Sequence, residues 1–235
     1  STQNFAAKIA SDKNENGTVI ISKKQTKGRG RLKRKWKSPP GGIWMSIIIH
    51  PKFDASYVTL IPIVTSLALC KAIEHTMKIN PKLKWPNDLT LNGKKLAGIL
   101  LDSSIESNKI ENVILGVGIN FKIKPRILEK TIKKTQNFYG ATTLVEKNEQ
   151  PLALVQQFLY ELENVLVLIN SGSTKRLLRE WTKRSSTIGK NISVKTDDGN
   201  ITGKALKLDS DGGLIISNRQ KTRKLLVGDI VHKNY

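Results

Sequence analysis

The stretch KWPNDLTLNGKKLAGILLD, Lys84 to Asp102, decides how the rest of the chain is read. Asn92-Gly93 lies between two apolar-polar runs, and that dipeptide suits a two-residue hairpin turn because both positions need a left-handed backbone. Such a turn pairs Leu91 with Lys94, Thr90 with Lys95, Leu89 with Leu96 and Asp88 with Ala97. Side chains alternate faces along a strand. Asp88, Thr90, Lys95 and Ala97 then share one face, joined by Lys84 if the strand runs on through Pro86. Leu89, Leu91, Leu96 and Gly98 share the other, with Asn87. Lys95 becomes a charge in the middle of an apolar hairpin, diagonal to Asp88 at about 7–8 Å along the backbone. A buried ammonium needs a partner. Two readings fit: a structural ion pair with Asp88, or a lysine held ready for an anionic substrate.

Working outward, NVILGVGINF (112–121) reads as a buried strand with Gly116, Gly118 and Asn120 on one face and Val113, Leu115, Val117 and Ile119 on the other. Glycines inside a strand mark close approach of a ligand or of another backbone. Upstream, TVIISKKQ (18–25) is a strand entering the loop KKQTKGRGRLKRKWK (23–37). Nine of those fifteen residues are Lys or Arg, too many charges to be core. SPPGG (38–42) turns the chain into a strand, IWMSIIIH (43–50). Apolar residues at 60, 63, 64, 67, 70, 73 and 77 have helical spacing, with Pro62 in the first turn and Asn80-Pro81 as the stop. Residues 122–140 read as a loop with a short helix. Helices follow over 151–169, opened by Pro151, and 173–184. From 187 the texture changes to short alternating strands, turned by Asp198-Gly199 and Asp211-Gly212-Gly213, the pattern of a small β-barrel.

Composition narrows the function. With 40 Lys and Arg against 19 Asp and Glu, the formal charge is +21, which predicts anionic partners. Part of it is solvated lysine: Lys23, Lys24, Lys33, Lys35 and Lys37 are assigned to water or to a partner surface. Cys70 is the single cysteine, so no intrachain disulfide or cysteine zinc site forms. His50, His75 and His232 are scattered, which argues against a metal cluster. No unbroken apolar run reaches roughly 18 residues and no leader opens the chain, so a soluble cytoplasmic protein without a membrane partner is expected. The chain opens at Ser1 without Met, so missing upstream residues are expected.

GRGR-LKRKW (28–36), KWPND (84–88), KLAG (95–98) and GVGIN (116–120), in this order, resemble the motif set of biotin protein ligases. STQNFA (1–6) resembles the family's STN-x-x-A segment, and GATTL (140–144) a recurrent T-S-L segment. The resemblance covers nearly the whole chain. It implies an α+β fold: a mixed sheet flanked by helices, similar to class II aminoacyl-tRNA synthetases, over 1–186, then an SH3-like barrel over 187–235. It implies ATP and Mg²⁺, with biotin as substrate. Biotinyl-5'-AMP forms first, and biotin then passes to a lysine of a biotin carboxyl carrier protein. By the same resemblance, Ser1, Thr2, Gln3 and Gln25 line the biotin pocket. Gly28, Arg29, Gly30 and Arg31 form the adenylate loop, and Lys95 and Gly98 complete the biotin site. Arg31, Arg34, Trp36, Lys84, Asn87, Asp88 and Asn120 serve the nucleotide, with Asp88 the Mg²⁺ candidate. Lys95 and Arg31 are the implied catalytic pair. Trp36 is either a stacking surface near adenine or a packing anchor. Four departures stand out: Gln3 where Asn is usual, Lys33 where Gly is, Asp102 where Glu is common, and Thr143 where Ser is.

The chemistry agrees with that implication. A carboxylate attacking an α-phosphate brings two anions together, and fixed cations stabilise the charge that develops. A mobile basic loop can exclude water from the mixed anhydride. Two rivals are a lipoate–protein ligase, expected to carry an R-R-x-S-G-G-G-type loop, and a basic nucleic-acid-binding protein. The latter calls for interleaved aromatics or a reading helix. Only Trp36 is present and no helix-turn-helix pattern precedes the motifs, so specific DNA binding is not expected. A homodimer is left open.

Overall fold

The computed structural model describes residues 1–107, 109–124, 126–128, 140–144, 150–196, 199–218 and 221–231. Most of the loop read over 122–140, the Asp198 half of one turn, and His232 lie outside the described residues. Six strands make the main sheet: β1 (Val19–Ser22), β2 (Ile43–Ile49), β3 (Lys82–Lys84), β4 (Asp88–Leu91), β5 (Lys94–Glu106) and β6 (Lys109–Ile119). Their order is β1-β2-β6-β5-β4-β3. Among the described residues the pairings of these six strands with one another are antiparallel, where the resemblance implies a mixed sheet. For β3 to β6 the reason is connectivity, since they follow one another through short turns that permit only antiparallel neighbours. Parallel alignment is confined to the isolated bridges Leu83–Ser185 and Lys95–Ala141.

The two faces of the sheet do different things. On one, Ile43, Met45 and Ile47 of β2 and Val113, Leu115, Val117 and Ile119 of β6 join the main core. That core is built on α2 (Ile61–Met77), α3 (Pro151–Asn170) and α4 (Thr174–Arg184). Helix α2 is buried nearly all round rather than along one stripe, from Ile61 through Ile73. It ends at Lys78, in a left-handed cap, two residues before the expected Asn80-Pro81 stop. Trp181 of α4 donates to Ser66 Oγ at 3.1 Å, and Arg184 forks onto Glu74, locking α4 to α2. Helix α3 is, by length and composition alone, apolar enough to cross a bilayer, which the search for unbroken apolar runs missed. Its residues Leu154, Val155, Phe158, Leu162, Val165 and Ile169 are instead buried in this core.

The opposite face carries a short helix that pattern reading did not find, α1 (Thr2–Ile9), whose Ala6 packs on Ile48 and Ile114. Beside it, Ser46, Gly116 and Gly118 are left uncovered by the helical layer. In register, Gly118 opposes Gly98 on β5 and Trp44 on β2, and Gly116 opposes Leu100 and Ser46. The hairpin differs from the expected one in a single step. Thr90 pairs with Lys95 as foreseen, but a bulge then sets Leu89 against Ala97 and Asp88 against Gly98. One extra residue reverses the faces beyond it. Ala97 therefore enters the core, and Gly98 turns to the open face with Asp88, opposite to the sequence assignment of both.

From 191 a second sheet follows: β7 (Asn191–Thr196), β8 (Gly199–Leu208), β9 (Leu214–Asn218), β10 (Lys221–Leu225) and β11 (Asp229–Val231). Its order is β10-β9-β8-β7-β11, and among the described residues no pairing of β10 with β11 closes it. It is tied to the first sheet by buried Trp85, whose Nε1 donates to Gly212 O at 3.0 Å and whose backbone N–H donates to Thr187 Oγ1 at 3.1 Å. Gly212 is required there, since its φ is +82° and a Cβ would lie 3.0 Å from Ile63.

Candidate active site

On the open face lies a cavity of about 720 Å³. Of the sequence-predicted site residues, all but Gly28 line it. Gly28 is buried beneath the basic loop, where a Cβ would meet Trp36 O at 2.3 Å and Ser38 Oγ at 2.7 Å. It shapes the base of the loop and does not face the cavity. The loop itself is pinched by bridges Gln25–Ser38 and Arg29–Lys35, with Leu32 and Lys33 at its tip in left-handed conformation. Lys23, Lys24, Lys33, Lys35 and Lys37 are exposed.

The floor is made by absence of side chains. A Cβ on Gly98 would lie 3.1 Å from the Trp36 ring, and one on Gly118 2.7 Å from Trp36 Nε1. Two facing glycines thus give the indole a flat bed, and Trp44 meets it edge-on with ring centroids 6.4 Å apart. Trp36 is both a packing anchor and a cavity wall. Lys95 Nζ stands 5.1 Å from the indole centroid, a cation–π distance.

One end of the cavity is a buried neutral network. Thr2 N–H and Thr2 Oγ1–H both donate to Gln25 Oε1, at 2.8 and 3.2 Å, while Gln25 Nε2 donates to Ser38 Oγ at 2.8 Å. Ser46 Oγ is 2.9 Å from both Thr2 Oγ1 and Gln3 Oε1. A hydroxyl both donates and accepts, so Thr2 and Ser46 can relay a proton donor to Gln3 Oε1 while Thr2 N–H serves Gln25. Gln3 Nε2 donates to Ile114 O at 2.9 Å and to Asp102 Oδ2 at 3.1 Å. Two departures from the motif pattern, Gln3 and Asp102, therefore meet. Among the described residues, buried Ser1 Oγ has no hydrogen-bond partner.

The other end is cationic. Lys95 Nζ pairs with Asp88 Oδ1 at 2.6 Å, both side chains 15% exposed. The backbone of Lys95 is clamped by the 140–144 segment: Lys95 N–H donates to Gly140 O and Thr142 N–H to Lys95 O, each at 2.9 Å. Leu144 N–H donates to Asn120 O at 2.8 Å, and Asn120 Nδ2 donates to Lys95 O at 3.3 Å. Lys84 lies opposite Asp88 in register and is buried. Burial pulls its ammonium down to about 8, opposed by Asp88. Arg31 Nη1 donates to Asn87 Oδ1 at 2.7 Å and Nη2 to Gly228 O at 3.2 Å, and Asn87 Nδ2 donates to Ile99 O at 2.6 Å. Burial also lowers the Arg31 pKa, against the opposing pull of Asp229 and then Asp88. Arg34 pairs with Asp229, and Arg29 forks onto Asp102 at 2.6 and 3.3 Å.

Several contributors escaped the sequence reading. Ser46 is a lone polar residue inside IWMSIIIH, a signal that was legible. Asp102 stood out only as a departure. Asp229 and Lys195 reach the cavity from the second sheet, and nothing local marks them. Cys70 is buried, and burial and Glu74 push its thiol pKa up, so it is no nucleophile. Among the described residues no three His, Cys, Asp or Glu side chains gather to hold a metal.

Comparison with known proteins gives this site its class. The model of the Biotin/lipoate A/B protein ligase family matches residues 1–120, and that of the Biotin protein ligase C terminal domain matches 187–233. The chain belongs to the biotin/lipoate A/B protein ligase family, and it is a ligase. Within that family it is 31% identical to the bifunctional ligase/repressor BirA of Bacillus subtilis, over 98% of this chain and 70% of that one. It is 28% identical to the biotin–[acetyl-CoA-carboxylase] ligase of Paracoccus denitrificans, over 84% of this chain and 82% of that one. The biotin protein ligase of Aquifex aeolicus, solved in complex with biotin and ATP, superposes with a TM-score of 0.80 at 29% identity, over 98% of this chain and 93% of that one.

Proposed function

We propose that the protein is an ATP-dependent biotin protein ligase. It joins biotin to AMP, then passes biotin to a lysine of a biotin carboxyl carrier protein. The observation that carries biotin over lipoate is the buried polar cluster of Thr2, Gln3, Gln25 and Ser46 at one end of the cavity. Its hydroxyl and amide oxygens give a polar ring partners to bond, Ser46 Oγ lying 2.9 Å from both Thr2 Oγ1 and Gln3 Oε1. A ureido ring has N–H donors and a carbonyl to meet them; a dithiolane ring has neither.

In the first step the biotin carboxylate oxygen attacks the α-phosphorus and the bond to pyrophosphate breaks. Lys95, at the cationic end of the cavity, faces the carboxylate and the α-phosphate, and Arg31 covers the phosphate from the loop. Trp36 offers a face to the adenine, while Lys84, Asn87 and Asn120 line the nucleotide side. Asp88 fits a Mg²⁺ held mainly by phosphate oxygens and water, because one carboxylate with few acidic neighbours is the usual protein share of such a site. An ion held there by Asp88 would supply neutralisation of phosphate charge. In the second step a neutral lysine amine of the acceptor attacks the acyl carbon and AMP leaves, so no protein nucleophile is required. We further read residues 1–186 as the catalytic domain, class II aminoacyl-tRNA synthetase-like, and 187–235 as an SH3-like barrel. The antiparallel sheet with its helical layer and the five short strands support that reading. Dependence on ATP favours the cytoplasm.

ATP–pyrophosphate exchange tests the substrate: biotin is expected to support exchange, and lipoate at equal concentration is not. Exchange with lipoate alone would overturn the assignment. The loop has its own test. Arg31→Gly removes the contacts to Asn87 and Gly228. Losing charge-assisted hydrogen bonds of this kind is expected to speed adenylate release roughly tenfold or more, seen as biotin label on an added bystander protein. A tightly held adenylate in this variant would show that the loop does not retain it.

A further inference from the structure

We propose that Asp102 is a positioning residue that fixes the biotin pocket in its hydrogen-bond polarity and couples it to the adenylate loop. The proposal rests on the biotin reading above. A side-chain amide can be turned over at little steric cost, exchanging its oxygen and nitrogen. Gln3 is buried, so whichever end faces the ligand decides what the pocket accepts.

The surroundings of Gln3 permit one orientation. Its Nε2 is within 3.1 Å of Asp102 Oδ2 and 2.9 Å of Ile114 O. Both are acceptors only, so reversal would set the Gln3 oxygen against a carboxylate and a carbonyl. With Nε2 so engaged, Oε1 faces Ser46 and the floor, 2.7 Å from where a Cβ on Gly116 would lie. Gly116 is thereby explained, since any side chain there displaces the oxygen. Ile114 O alone supplies a neutral acceptor. The charged acceptor is Asp102, and charge-assisted hydrogen bonds are the stronger kind.

The same carboxylate holds the loop. Asp102 Oδ2 also accepts from Arg29 Nη1 at 2.6 Å and Oδ1 from Arg29 Nη2 at 3.3 Å. One side chain of β5 therefore links the helix that carries Gln3 with the loop that carries Arg31. Glutamine reaching toward aspartate spans the same number of methylenes as asparagine reaching toward glutamate. The pair is thus free to exchange lengths while keeping the bond.

That exchange is the test. In pyrophosphate exchange at saturating ATP, Gln3→Asn and Asp102→Glu are each expected to raise the biotin KM roughly tenfold, with kcat within about twofold. The Gln3→Asn/Asp102→Glu double variant is expected to return KM to within about threefold of wild type. Isosteric Asp102→Asn, which leaves an amide able to present either end, is expected to raise KM as the single variants do, with an unchanged thermal midpoint. Additive losses in the double variant, or an unchanged KM in Asp102→Asn, would overturn the proposal. A wild-type protein inactive with biotin would instead remove the reading on which it rests.

Discussion

Lys95→Ala is expected to lower biotin-dependent pyrophosphate exchange by about 10²–10³-fold while biotin affinity changes less than about tenfold, because removing one preorganised donor from a developing oxyanion costs about that much. The expectation follows from where the ammonium is held. Its backbone is clamped on both sides by the 140–144 segment, and its Nζ is fixed between Asp88 at 2.6 Å and the indole of Trp36 at 5.1 Å. A lysine so restrained loses little further freedom when the reaction needs it, and it stands outside the neutral network proposed to hold the ring of the substrate. The loss should therefore fall on kcat and spare occupancy, the signature of an interaction made in the transition state. Lys95→Met separates charge from packing: it keeps the aliphatic stem against Gly98 and Trp36 and removes only the ammonium. Exchange by the Met variant within tenfold of wild type would show that Lys95 is a structural partner of Asp88 and nothing more. Calorimetric titration with biotin supplies the second axis, and a collapse of biotin affinity in both variants would move Lys95 from the chemistry to the pocket.

The hairpin around Lys95 also shows what a sequence can and cannot disclose. Asn92-Gly93 fixed the turn, and period-two alternation placed Gly116, Gly118 and Asn120 opposite Val113, Leu115 and Val117, as the structure has them. A bulge is invisible to such patterning, because it costs one residue and leaves apolar content unchanged. The bulge opposite Leu89 and Thr90 moved Ala97 into the core and turned Gly98 onto the floor. Helix α1 went unread because eight residues with few apolar positions carry a weak period. The pairing of Gln3 with Asp102 and of Arg34 with Asp229 spans 99 and 195 positions. Only the folded sheet brings such residues together. Motifs located the cavity, but the polarity of its walls had to be read from distances.

The same holds for Lys84, whose burial no motif reports and whose replacement should act in opposite directions on stability and on binding. Lys84 is 3% exposed, and burial draws its pKa from an ordinary 10.5 to about 8. The sign follows directly. Below about pH 8 the lysine is protonated both folded and unfolded, and folding bears the full cost of burying the charge. Between about 8 and 10.5 the unfolded chain binds more protons than the folded one, so stability rises with pH and the cost is relieved. The shift corresponds to about 3 kcal/mol. Lys84→Met, close in volume and without charge, is accordingly expected to raise the unfolding free energy by about 1–3 kcal/mol at pH 7, with much of the gain gone by pH 10. An anionic phosphate beside the ammonium has the reverse effect: it raises the lysine pKa, so nucleotide binding should take up a proton above pH 8. ATP affinity should then fall toward tenfold per pH unit from about 8 upward in wild type. In Lys84→Met it should be weaker by roughly tenfold or more at pH 7 and lose that pH slope. Calorimetry in two buffers of different ionisation enthalpy reads the proton directly. ATP affinity that is flat from pH 7 to about 9.5 in wild type, or unchanged in the variant, would place Lys84 outside the nucleotide site, and a destabilised variant would show that its charge is a structural asset.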